Sequence, residues 1–316
     1  MIPSGSIQEM QIKLEFATGI HNLRNLVYTL NDMKKSILLF FFTLIVSGLS
    51  FASSAFSNNE QNVIDKFWEL RMNLTSYPDK KEAVEAIEKF RKENMESIDG
   101  LGKDAAAVFN ALVLMEKYTY TYDFAGEDRA NTREPFGNTR KQLKKLVQGR
   151  KDSDVNPYLF LALADVTSFY MSYSIADIFL HGMSVKKLQE KALEQDESFS
   201  PVMINYGQWF FYSPRIFGGS REKTLYWQNK AVETARTKAE EFFARLYYSQ
   251  SLFEEKKFEE SRIQLEEAEK LCPQSCLVSL LAEQNAMGVS LNEYNKKKSK
   301  LLKAADDYKK KNNIQE

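Results

Sequence analysis

The sequence predicts an all-α fold, an array of antiparallel helix pairs stacked into a superhelix. Three observations carry it. From Asn59 onward, apolar residues recur at helical spacing nearly everywhere. Gly and Pro are sparse and fall between those periodic stretches, where helices start and stop. A helix-turn-helix unit recurs down the chain, and an array of such units can bury each neighbour's apolar face.

Taken in order, Asn59–Leu74 and the stretch from Lys81 to Phe90 form the first pair. Ala105–Tyr122 with Pro135–Val147 form a divergent second pair, separated by the loop-like stretch Asp123–Asn131. Tyr118-Thr119-Tyr120-Thr121-Tyr122 alternates as a strand would, but it continues the pattern from Ala105 and reads as a helix end. Asn156-Pro157 and Ser200-Pro201 each read as an N-cap followed by Pro in the first turn.

Residues 242–273 hold the clearest unit, with Tyr248, Ser249 and Leu252 on one helix and Phe258, Ser261, Leu265, Ala268 and Pro273 marking the next. That order resembles the tetratricopeptide repeat of about 34 residues. Small residues at Ser249, Ser261 and Ala268 let two helices approach, and Pro273 ends the second. Residues 200–235 repeat the unit with Gly207 and Ala231 at the small positions, and Ala192 closes a unit before that. The spacing is loose, 39 residues from Ala192 to Ala231 and 37 from Ala231 to Ala268. Five or six pairs result. Ser290 with Glu293 opens a lysine-rich helix over 290–311 that caps the array, so 59–316 reads as one helical-repeat domain.

The start of the chain has a different character. Lys34 and Lys35 precede an apolar run from Ile37 to Leu49, and small residues follow at Ser50, Ala52, Ser53 and Ala55. That is the anatomy of a signal peptide over 33–55, cleaved after Ala52 or Ala55. The run has 13 residues, against roughly 20 for a membrane span. Signal peptides begin at an initiator, so Met33 is the expected start and residues 1–32 a mis-assigned extension. The expected destination is the periplasm, without a lipid anchor, because no Cys lies in the cleavage zone.

Charge and composition exclude several functions. Lys+Arg and Asp+Glu are both 43, so no net field draws the chain onto nucleic acid. Only 2 His are present, and His181 alone follows the leader, which leaves almost no material for a His-based triad or metal site. His181, beside Gly182, is expected at a helix junction in a structural role. Gly218-Gly219 lacks the Lys of a phosphate loop and reads as a tight turn feeding an N-cap at Ser220. Glu240-Glu241, Glu254-Glu255 and Glu266-Glu267 read as solvated helix faces. No catalytic residue, metal or cofactor is expected.

Two features point instead to binding and to compartment. Trp209-Phe210-Phe211-Tyr212 cannot all enter one seam, since successive helical side chains diverge. Trp209, Phe211, Tyr212, Phe217 and Trp227 are therefore the candidate binding residues for a partner or a ligand. Cys272 and Cys276 flank a helix-to-helix turn; they could bridge in an oxidising compartment or remain free thiols.

The segment from Tyr206 to Pro214, followed by Gly218-Gly219-Ser220-Arg221-Glu222-Lys223 and Ala231, resembles the T-component proteins of tripartite ATP-independent periplasmic (TRAP) transporters. The likeness covers roughly Leu188 to Pro273. It implies a non-catalytic periplasmic scaffold that assembles as a homo-oligomer and docks the transporter's solute-binding subunit. Members of that family are often lipoproteins, and this chain departs from them in lacking the lipid-accepting Cys. Two other readings stand beside it, a stand-alone binder of a small apolar molecule in an aromatic-lined hollow and an exported carboxylate hydrolase.

Overall fold

The computed structural model describes residues 55–121 and 129–294, with the side chains of 121 and 129–132 excepted. The leader, the extension before it and most of the capping helix 290–311 lie outside the described residues. Within them the chain is helical throughout and forms no strand.

The helices are α1 (Asn58–Leu74), α2 (Lys80–Glu93), the short α3 (Met95–Asp99), α4 (Lys103–Thr121), α5 (Arg129–Val147) and α6 (Pro157–Met171). Then follow α7 (Ile175–Gln195), α8 (Ser200–Tyr212), α9 (Arg221–Thr234), α10 (Lys238–Glu254), α11 (Phe258–Leu271) and α12 (Cys276–Ala286). Local chemistry sets their ends. Ser57 and Glu60 form a reciprocal capping box at α1. Asn156 caps α6 by accepting from the Tyr158 N–H at 2.9 Å, and Ser220 caps α9 by accepting from Lys223. Thr121 ends α4, so the Tyr-Thr alternation is a helix end.

Three boundaries differ from expectation. Ser200 lies inside α8, and its hydroxyl donates to the Ala231 carbonyl at 2.8 Å, tying the start of α8 to the end of α9. Pro135 lies within α5, which begins at Arg129. His181 and Gly182 sit inside α7 and mark no junction.

Consecutive helices pack as pairs, most extensively α6 with α7, α8 with α9 and α10 with α11. The small residues hold these seams. At α10/α11 the Ser261 hydroxyl donates to the Ser249 carbonyl at 2.7 Å, and Ala268 is fully buried. At α8/α9 a Cβ on Gly207 would stand 3.3 Å from the Thr224 carbonyl oxygen and 2.8 Å from Gln228 Cγ. Thr224 and Ser261 each lie seven residues before the buried alanine of their unit, so the two pairs repeat position for position. The extra five residues of the earlier unit go into the turn between α8 and α9.

The first helices of the pairs form an inner layer that closes on itself. α4 packs on α6, α8 on α10, and α10 packs back on α1, which also touches α4. Trp68 of α1 meets Phe243 of α10 edge to face, ring centroids 5.8 Å apart. The turn after α11 completes the closure, with the Leu277 N–H donating to the Thr75 carbonyl and the Thr75 and Ser275 hydroxyls 2.8 Å apart.

Candidate functional site

The closed inner layer leaves a polar cluster at its centre. Arg71 Nε donates to Glu116 Oε2 at 2.6 Å, and the guanidinium lies 4.0 Å from the Trp68 ring centre. Asn205 Nδ2 donates to Asp165 Oδ1 at 2.8 Å, linking α8 to α6. Burial pushes the Asp165 carboxyl well above its ordinary range, against the opposing effects of Asn205 and Arg71. Arg71 Nη1 and Asp165 Oδ2 have no hydrogen-bond partner among the described residues. Where these inner helices meet, Phe67, Trp68, Phe109 and Phe242 are fully buried.

The aromatic segment divides among several neighbours. Trp209 is only 3% exposed, and its indole N–H donates to the Gly182 carbonyl of α7 at 3.2 Å. Phe211 and Tyr212 face the other way and line a small cleft toward α10 with Gln208, Gln250, Ser251, Glu254 and Asn292. That cleft has a volume of about 10 Å³, close to one water. Trp227 is half-buried against Tyr206, centroids 5.1 Å apart. The five aromatic candidates therefore do not share one wall, because α8 turns them to different neighbours.

Phe217 alone reaches an outer surface. Gly218 takes φ +96° and rests against the Trp209 ring, while the Gly219 N–H donates to the Pro214 carbonyl at 3.1 Å. The short 3-10 turn Arg215–Phe217 is thereby held out beside α7, and Phe217 meets Phe179 edge to face at 5.9 Å. Around this contact lies an apolar ledge. Ile175, Phe179 and Met183 stand four apart along α7, and Phe179 is 67%, Leu180 72% and Ile216 86% exposed. The opposite stripe of α7, Val185 with Ala192, is fully buried, so the helix presents apolar residues on both sides. Sequence reasoning missed Phe179, Leu180 and Met183. The signal was the consecutive run Ile178-Phe179-Leu180, which cannot point one way any more than Trp209-Phe210-Phe211-Tyr212 can.

Polar groups flank the ledge. Arg133 pairs with Asp177 and lies 4.5 Å over the Tyr170 ring. Arg140 Nη2 approaches His181 Nδ1 at 3.2 Å, and burial together with the Arg140 charge lowers the imidazole's pKa. His181 is thus held by structure. No cluster of His, Cys, Asp or Glu that could hold a metal occurs among the described residues.

The two cysteines sit elsewhere, at the ring closure. Both are free thiols; Cys272 is buried with its sulfur 3.6 Å from the Ser76 hydroxyl, and Cys276 Sγ donates to the Ser76 carbonyl at 3.4 Å. No helix among the described residues is long and apolar enough to cross a membrane. Comparison with protein-family models, with curated proteins and with solved structures returns no match.

Proposed function

We propose that this chain is a non-catalytic scaffold that docks a protein partner on the apolar ledge of α7 and the 215–217 turn. The observation that carries this reading is the ledge itself. Phe179, Leu180 and Ile216 are more than half exposed and adjoin Phe217, a contiguity that soluble surfaces reserve for interaction sites. The turn is an insertion relative to the following repeat, and insertions in helical arrays collect on a binding face. The matched positions Gly207, Thr224, Ala231 and Ser249, Ser261, Ala268 support a tetratricopeptide-type array.

The resemblance to TRAP transporter T-components names the partner class, the transporter's solute-binding subunit in the periplasm. An apolar small molecule in an aromatic hollow finds less support, because Trp209 is buried and the cleft beside Phe211 and Tyr212 is water-sized. The test is co-purification of the mature chain with a TRAP-type solute-binding subunit, comparing wild type with a Phe179→Ser, Ile216→Ser double variant. The expected result is loss of the complex with an unchanged melting temperature. Equal binding by the variant, or a complex formed only between copies of the chain, overturns the reading.

A further inference from the structure

The apolar ledge is bordered by charge of one sign. Arg133, Arg140 and Lys144 are spaced seven and four residues apart on α5, which puts them on one stripe of that helix. α5 and α7 both pack on α6, and the stripe faces α7. Arg133 pairs with Asp177, Arg140 reaches the His181 ring, and the Lys144 charge acts on the same imidazole. Tyr170 of α6 lies between the two helices, its ring centre 4.5 Å from the Arg133 guanidinium and 5.2 Å from that of Arg140. On α7 itself, Lys187 continues the stripe of Ile175, Phe179 and Met183 at the same four-residue step. Arg215 stands exposed in the turn that carries Ile216 and Phe217.

Carboxylates do not balance these cations. Asp177 is taken by Arg133 and Glu190 by Lys186, and no carboxylate pairs with Arg140, Lys144, Lys187 or Arg215 among the described residues. Glu134, the one acid among the described side chains of α5, lies on the neighbouring stripe with Lys141, seven residues on. Glu222, past the turn, stands between Arg221 and Lys223. The whole chain has 43 basic and 43 acidic side chains, so the excess at the ledge is local. Fixed charge around an apolar patch sets the sign of the surface that can cover it, because like charges brought together there repel.

We infer that the ledge takes an amphipathic helix of the partner protein whose apolar residues are flanked by Asp or Glu. This rests on the docking reading above and names the chemistry of the segment that docks. Ile175, Phe179 and Met183 extend about 12 Å along α7, the footprint of a helix laid beside it with apolar residues one turn apart. Carboxylates on the α5 side of that helix meet Arg140 and Lys144, themselves one turn apart, and those on its other side meet Arg215. A basic segment would set its own cations against the same groups. Arg133 and Arg140 are half-buried and tied to Asp177, Thr167 and His181, while Phe179 and Leu180 stand out. These guanidiniums therefore suit a carboxylate lying between α5 and α7 rather than lipid headgroups resting on the crest of α7.

The test titrates the mature chain with a fluorescent synthetic helix that has one leucine face and one glutamate face, with its lysine-for-glutamate counterpart, and with phosphatidylglycerol vesicles. The glutamate peptide is expected to bind saturably and to weaken about tenfold as salt rises from about 0.05 M to about 0.5 M. An Arg215→Glu, Lys187→Glu double variant should weaken it by about tenfold as well. Phe179→Ser with Ile216→Ser should abolish the same binding, and the lysine peptide should not bind. Equal binding of both peptides, no saturable binding, or a charge-reversed variant that binds as wild type does overturns the inference, as does capture by vesicles in place of the peptide. Co-purification speaks to the docking reading separately. A solute-binding subunit held through Phe179 and Ile216, with the acidic peptide unbound, leaves that reading standing and removes this one. Should the charge-reversed variant fail to fold, the two peptides and the salt series on the wild type decide.

Discussion

Gly219 and Ser213 approach so closely that a Cβ on Gly219 would fall 1.8 Å from the Ser213 carbonyl oxygen. The contact is backbone on backbone, so no side chain can yield. Gly219→Ala is therefore expected to break the turn that carries Ile216 and Phe217, at a cost of about 2 kcal/mol or more. Gly182 is the opposite case, with nothing within 4 Å of its would-be Cβ and a place inside α7. Gly182→Ala should stabilise by up to about 1 kcal/mol through helix propensity alone. Paired urea melts check both; a harmless Gly219→Ala would show that the turn is not held as described.

The buried pair Arg71–Glu116 makes a prediction about its two halves. Glu116→Leu leaves the guanidinium buried without its carboxylate and should cost about 3–5 kcal/mol. Adding Arg71→Met removes the stranded charge and should recover most of that loss. Denaturation of the single and double variants decides it, and additive losses would mean the two side chains act independently.

The pair was not foreseeable in the sequence, where Arg71 and Glu116 are two unremarkable charges 45 residues apart. What was legible was what local spacing encodes: the helices, most of their caps, and the small residues at Gly207, Ser249, Ser261 and Ala268. What was not legible depends on the ring closure, which brings α10 back to α1. That closure sets Trp68 against Phe243 and Thr75 against Leu277 and Ser275, contacts between residues far apart in sequence. The candidate aromatic residues separate in the fold. Phe217 reaches the surface as the inserted turn suggested, while Trp209 supports the turn from beneath.

Glu240 sets a pH dependence. It lies in the first turn of α10, accepts from the Arg236 N–H, and burial pushes its carboxyl from an ordinary 4.5 up to about 9. Between those values the folded chain holds one proton more than the unfolded chain. Stability from this group is therefore full below about pH 4.5 and falls as pH rises toward about 9, by up to about 1.4 kcal/mol per pH unit. Glu240→Gln puts a non-titrating neutral amide in its place and should flatten that slope. Melts from pH 5 to 9 test it; an identical slope in the variant would rule Glu240 out as the source.

Ala268 tests the repeat seam. It is fully buried in α11, and Ala268→Phe should overpack the interface at a cost of about 1–3 kcal/mol. A wild-type melting temperature would mean that the seam has room the packing does not show.

An open helical array can lengthen or shorten at its ends, because each unit answers only to its neighbours. Here the hydrogen bond from Leu277 to Thr75 and the Trp68–Phe243 contact tie the first helix to units about 200 residues later in the chain. Inserting or deleting one pair would pull those partners out of register, so the number of repeats is fixed by geometry. The same tie makes the first helix a condition for the last repeats to hold. Such a molecule melts as a single cooperative unit, and its repeats cannot fray away one by one from either end.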